Sequence, residues 1–202
     1  MHLTGNTVID ALLEITGRPE TDLPSLPYPS AGRRLVLVTA HRRESFGKPF
    51  EDLCTALRTI AERVPDAEIV YPVHLNPNVQ EPVHAILAGA ARVHLIEPLG
   101  YVEFARLMKR ATLILTDSGG IQEEAPTLHK PVLVTRQATE RPEAVEMGLA
   151  RLVGTSREAI IKEASCLLDD PEAYAAMTGG TTNPYGDGRA AERIVATLAN
   201  TL

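Results

Sequence analysis

From residue 33 onward, short apolar runs alternate with longer stretches whose apolar positions recur every three or four residues. Residues 34–39, RLVLVT, are a continuous apolar run of the kind expected of a strand buried on both faces. Residues 49–64 then place Phe50, Leu53, Cys54, Leu57, Ile60, Ala61 and Val64 at helical spacing. Further strands are predicted at 68–73, 92–96, 112–116, 131–135 and, from a weaker signal, 150–153. Helices are predicted between and after them at 81–88, 102–110, 121–128, 140–147, 157–168, 172–177 and 189–202. Strand and helix in strict alternation imply right-handed crossovers and a parallel sheet. The pattern therefore predicts an α/β fold, a Rossmann-like doubly wound parallel sheet.

The first residues read differently. Residues 6–16 predict an amphipathic helix with Gly17 as its stop. Pro19, Pro24, Pro27 and Pro29 then crowd a stretch that cannot supply regular backbone donors, so it reads as a linker. The division predicted is residues 1–32 as helix and linker, and residues 33–202 as the main domain.

Composition narrows the function. The 202 residues are 44% hydrophobic and 23% charged, ordinary for a globular protein with one substantial core. The net charge of -6, with both signs mixed along the chain, argues against a nucleic-acid binder. Cys54 and Cys166 fall on apolar helix faces and read as buried core thiols; no spacing suggests a metal. No apolar run reaches the about 18 residues of a membrane helix, and the start lacks a signal-sequence pattern. A cytoplasmic protein is the default expectation.

Ligands of doubly wound sheets bind beyond the carboxyl ends of the strands. The polar clusters fall there: HRRES after the first strand, PVHLNPN after the second, DSGG after the fourth and RQATERPE after the fifth. In the DSGG turn, Asp117 or Ser118 can cap the following helix, and Gly119 and Gly120 allow close backbone approach. That combination suits a phosphate. Glu123 and Glu124 either complement the helix dipole or hydrogen-bond ribose hydroxyls. The guanidiniums of Arg42 and Arg43 beside His41 suit phosphate oxygens, or else form a surface ion-pair set around Glu44. Arg141 neutralises a diphosphate or pairs with Glu140 or Glu143. His74 alone is uninformative. Tyr101 and Phe104 are candidates to stack on a base, with core packing the alternative for Phe104. Neither a G-x-G-x-x-G nor a P-loop is present, and no Ser–His–Asp or H-E-x-x-H arrangement appears.

Taken together, VTAHRRESFG (38–47), YPVHLNPNV (71–79), LTDSGGIQEEAPTLHKPVLV (115–134), TERPEAVEMG (139–148) and NPYGDG (183–188) resemble the non-hydrolysing UDP-N-acetylglucosamine 2-epimerases. The resemblance implies the C-terminal domain of a GT-B fold and interconversion of UDP-GlcNAc and UDP-ManNAc without metal or other cofactor. The reaction it implies is elimination of UDP followed by re-addition. By motif, His41 would contact the diphosphate and be the catalytic residue of this half. Ser118, Gly119 and Gly120 would hold phosphate oxygens, Glu124 the ribose hydroxyls, Arg141 the diphosphate, and Phe104 would lie beside the uracil. Arg42 and His74 match positions of an allosteric UDP-GlcNAc site. The resemblance also implies a homodimer for the intact family, and likens residues 3–12 to the segment joining its two domains. An N-terminal domain like the one bearing the family's carboxylate acid and base is absent from these residues, so weak or no epimerase activity is expected of the chain alone. The alternatives are a stand-alone UDP or UDP-sugar binding domain, the C-terminal domain of a GT-B glycosyltransferase, or a partner for a separately encoded half. His129 stands where the family usually has glycine, and MTGGTT (177–182) looks one residue longer than usual, implying a mobile loop.

Overall fold

Among the described residues six strands form one sheet: β1 (Arg34–Thr39), β2 (Ala67–Pro72), β3 (Val93–Ile96), β4 (Leu113–Thr116), β5 (Val132–Val134) and β6 (Ala150–Leu152). Every pairing is parallel, in the order β3-β2-β1-β4-β5-β6. The computed structural model describes residues 1–19, 28–179 and 182–200. Pro24 and Pro27 of the predicted linker, Gly180 and Thr181 of the lengthened loop, and Thr201 and Leu202 of the last predicted helix lie outside these residues.

Successive side chains of a strand point to opposite faces, and β1 shows what that does here. Val36 and Val38 enter one apolar layer, with Phe50, Leu57, Val83 and Ile160. Leu35 and Leu37 enter the other, with Leu12, Met108 and Ile121. All four are fully buried, so a half-polar strand would not fit this position. Each such side chain contributes about 1.5–3 kcal/mol on removal from water.

The first layer consists of α2 (Lys48–Arg63), α3 (Pro77–Leu87), α7 (Arg157–Asp169) and α8 (Pro171–Thr178). The second includes α1 (Thr7–Gly17), α4 (Tyr101–Arg110), α5 (Gly119–Glu124) and α6 (Pro142–Glu146). Helix α9 (Ala190–Ala199) packs on α1. Among the described residues, four helices begin at residues whose side chains accept a first-turn N–H: Asn6, Asn76, Ser156 and Asp170.

Several boundaries differ from expectation. Helix α3 starts at Pro77 and not at 81, because Asn76 caps it and proline suits a first turn. The helix predicted at 121–128 is split into α5 and a 3₁₀ turn (Ala125–Leu128), since Pro126 has no N–H and His129 turns left-handed with φ 53°. The helix predicted at 140–147 shortens to α6. Cys54 is buried, and burial pushes its thiol up to about 12, making it inert. Cys166 is only half-buried, which corrects the reading of both cysteines as core thiols. No helix among the described residues is long and apolar enough to cross a membrane.

Candidate functional site

The chain winds outward from β1 in one direction and from β4 in the other, which opens a crevice at their carboxyl ends. Two adjacent strand ends are joined there. Thr39 Oγ1 and Thr116 Oγ1 are 2.6 Å apart, and Thr116 Oγ1 accepts the Ser118 N–H at 3.0 Å. Asp117, 1% exposed, accepts the backbone N–H groups of His41 (2.6 Å) and Arg42 (2.7 Å) through Oδ2. Its side chain therefore serves the loop after β1 and does not cap α5. Ser118 takes the cap position but makes no side-chain capping bond, so that expectation fails for both residues. Oδ2 thus satisfies two main-chain donors at once, where a cap would satisfy one.

The Gly119 turn is where charge gathers. A Cβ at Gly119 would lie 3.9 Å from Arg141 Nη2 and 3.9 Å from Arg42 Nη2. Both guanidiniums therefore border one small volume above the turn. Arg141 is held from behind: its Nε donates to Glu123 Oε1 and its Nη1 to the Glu140 carbonyl at 3.0 Å. Its own N–H meets Thr139 Oγ1 at 3.0 Å, and Thr139 donates to Gln122 Oε1 at 2.5 Å. Glu123 Oε2 accepts from Asn6 Nδ2, so this buried carboxylate is shared between Arg141 and the start of α1.

Arg141 thus pairs with Glu123 and not with the carboxylates of Glu140 or Glu143. The Glu140 carboxylate is gripped by Arg136 (2.6 and 2.9 Å), whose hydrogen bonds hold it down at about 2. Arg136 also reaches Glu44 at 2.6 Å, so the ion pairs around Glu44 are a separate set from Arg42 and Arg141. Glu143 accepts from the Tyr185 hydroxyl at 3.2 Å.

Beside Gly120 stands Glu124, 5% exposed. Its Oε2 accepts from the Tyr101 hydroxyl at 2.8 Å, and its Oε1 would be 3.7 Å from a Cβ at Gly120. Burial raises the Glu124 carboxyl above its ordinary range, and the Tyr101 hydrogen bond opposes that. Phe104, one turn along α4, is half-buried against the second apolar layer.

At the other wall, the His41 ring stacks on His74 with centroids 5.4 Å apart and planes 11° apart. His41 Nδ1 lies 3.5 Å from Asp117 Oδ1. His74 Nδ1 accepts the Asn76 N–H at 3.1 Å. Four loops distant in sequence thus bring His41, Arg42, His74, Ser118, Gly119, Gly120, Glu124 and Arg141 to one edge of the sheet. The two residues assigned by motif to a separate allosteric site sit among them: Arg42 beside Arg141, and His74 against His41.

Sequence reasoning missed the supports. Nothing in spacing distinguishes Glu123, which anchors Arg141, from Glu124, which faces the crevice. Asn183 was legible only as part of NPYGDG, yet its Nδ2 donates to the Glu123 carbonyl at 2.8 Å and to Thr127 Oγ1 at 2.5 Å. Among the described residues no group of three or more His, Cys, Asp or Glu is placed to hold a metal ion.

The family described as UDP-N-acetylglucosamine 2-epimerase matches residues 1–199. A Ralstonia solanacearum protein named "Probable UDP-N-acetylglucosamine 2-epimerase" is 59% identical over 95% of this chain and 53% of its own length. The UDP-N-acetylglucosamine 2-epimerase of Escherichia coli K12 is 53% identical over 99% of this chain and 55% of its own. A crystal structure of the Neisseria meningitidis UDP-GlcNAc 2-epimerase, bound to UDP-GlcNAc, superposes with a TM-score of 0.89 at 44% identity, covering 98% of this chain and 55% of that one. The chain spans about half the length of the curated relatives it matches. Its sheet corresponds to the C-terminal domain of a GT-B fold. With a family match over nearly every residue and a sheet that superposes on solved members, the chain belongs to the UDP-N-acetylglucosamine 2-epimerase family.

Proposed function

We propose that the crevice between β1 and β4 binds UDP and UDP-GlcNAc, and that the chain is the nucleotide-binding half of an epimerase interconverting UDP-GlcNAc and UDP-ManNAc. The observation that carries this is the convergence of the Arg42 and Arg141 guanidiniums on the Gly119 turn. Two unit positive charges over a side-chain-free turn suit a diphosphate, whose oxygens accept from planar forks. In this reading Ser118, Gly119 and Gly120 meet phosphate oxygens, and Glu124 Oε1 accepts from the ribose. Phe104 lies on the uracil side. His41 faces the diphosphate as the catalytic group of this half, and Arg42 with His74 extends the site toward a second, allosteric nucleotide sugar.

Elimination breaks the bond between C1 of the sugar and the diphosphate oxygen, and the electron pair leaves with UDP. Arg42 and Arg141, beside His41, stabilise that developing charge, and such fixed charges favour the transition state over the ground state. Moving the proton at C2 needs a base and an acid. In this reading the carboxylates at the site have other tasks: Glu123 holds Arg141 and Asn6, Glu124 takes Tyr101 and the ribose, and Asp117 holds the loop after β1. The chain alone is therefore expected to bind UDP and to exchange the C2 proton weakly or not at all. A cytoplasmic location, a homodimer and a domain boundary near residue 32 belong to the same proposal.

Calorimetric titration with UDP tests the site, with saturable heat expected. No heat and no thermal shift at millimolar UDP would overturn it. Proton NMR of UDP-GlcNAc in deuterated water tests the activity; exchange at C2 as fast as in a full-length relative would show that this half holds its own acid and base.

A further inference from the structure

We infer that Asp117 is a positioning residue that fixes the tautomer of His41, keeping the proton on Nδ1 and leaving Nε2 as the acceptor. The argument begins with an unbalanced carboxylate. Asp117 is 1% exposed, and a buried carboxylate is costly unless its oxygens are satisfied. Oδ2 has two backbone donors, from His41 and Arg42. Oδ1 is buried with no hydrogen-bond partner among the described residues, and His41 Nδ1 stands 3.5 Å from it.

A neutral imidazole carries its proton on one nitrogen only. With the proton on Nε2, the Nδ1 lone pair would face a buried anionic oxygen. With the proton on Nδ1, the same approach becomes attractive and shortens readily into a hydrogen bond. The second arrangement leaves the Nε2 lone pair free on the far side of the ring. Other groups set the ring's surroundings. His74 stacks on it and has its own Nδ1 occupied as an acceptor, while Arg42 and Arg141 border the Gly119 turn. The hook on the two backbone N–H groups directs His41 and Arg42 into the crevice together, so one carboxylate sets both. The rival account is that Oδ1 is satisfied by a water in the cavity of about 10 Å³ that Asp117 lines with Ser45, Thr135 and Thr155.

Long-range proton–nitrogen NMR of the histidine-labelled chain separates the two, read at pH about 8 where free imidazole is neutral. His41→Gln assigns the signals. Wild-type His41 is expected to show a protonated Nδ1 and a bare Nε2. Asp117→Asn keeps an oxygen for the two backbone donors but can present an amide N–H to Nδ1, so the ring is expected to switch to Nε2–H. A wild-type ring protonated on Nε2, or the same tautomer in both proteins, would overturn the inference. If Asp117→Asn fails to fold, the wild-type tautomer alone decides. The consequence for UDP rests on the reading above: with an Nε2–H turned toward the diphosphate in Asp117→Asn, UDP is expected to bind no more weakly than to the wild type. A wild-type chain that shows the Nδ1–H ring but binds no UDP would defeat that reading and leave the pairing intact.

Discussion

The Tyr101 phenol donates to Glu124 Oε2 at 2.8 Å, which leaves Oε1 of the same carboxylate on the Gly120 side. One oxygen is spent on orientation, and one remains for a ligand.

This pair predicts a pH dependence. Burial, with Glu123 adding, raises the Glu124 carboxyl above its ordinary 4.5, and the Tyr101 bond opposes the rise. For stability, an acid with a raised folded value favours its protonated form. Its contribution is full below the unfolded value and is lost as pH rises through the folded one. In the proposed site binding runs the other way, because ribose hydroxyls would donate to the ionised carboxylate. UDP affinity should therefore fall on acidification while the pH is still above 4.5. In Tyr101→Phe the fall should begin at higher pH. Calorimetric titrations at stepped pH compare the two, with the ionisation of UDP common to both. Superimposable profiles would remove Tyr101 from the site.

Arg141 and Glu123 give a second test. Lysine keeps the charge of Arg141 but loses the planar fork and the Nε that Glu123 grips. Arg141→Lys should weaken UDP binding by about tenfold, the order expected for one hydrogen bond to a charged group. Glu123→Gln should weaken it less, since the amide oxygen still accepts from Nε. Full affinity in Arg141→Lys would place the diphosphate elsewhere.

His129 tests the backbone. It adopts φ 53° and ψ 43° at the end of the 3₁₀ turn, a left-handed conformation that costs a residue with a Cβ about 1–2 kcal/mol. Part of that is regained by glycine's looser unfolded chain. His129→Gly should stabilise the protein by about 1 kcal/mol, raising its melting temperature by about 2–4 °C. A lower melting temperature would mean that the imidazole makes a contact worth more than the strain.

Tyr71 sits beneath the loop that carries His41. It is fully buried, and its hydroxyl donates to the Ala40 carbonyl at 2.6 Å. Tyr71→Phe leaves that carbonyl unpaired and should cost about 1–3 kcal/mol in denaturant unfolding. No loss of stability would show that water replaces the hydroxyl.

The fold was legible because burial on both faces leaves a plain record. RLVLVT has no polar alternation, and the stretch at 49–64 repeats apolar residues at helical spacing, so strand and helix separate cleanly. The loops holding His41, Gly119 and Arg141 were legible from their position after strands. The supporting bonds were not. Glu123 and Glu124 are adjacent in sequence, and only the direction each takes from a six-residue helix sends one to Arg141 and the other to Tyr101. Asp117 read as a cap because its type and position suit one. The competing donors belong to His41 and Arg42, some 75 residues earlier.

The sharing of Glu123 between Asn6 and Arg141 has a mechanical meaning. Asn6 begins the first helix, where its N–H is also held by the Tyr185 carbonyl at 2.8 Å, and Arg141 leans over the glycine turn. A single buried carboxylate thus ties the leading end of the chain to a cation at the crevice. The placement of Arg141 over the turn and the placement of the first helix are therefore set by the same side chain.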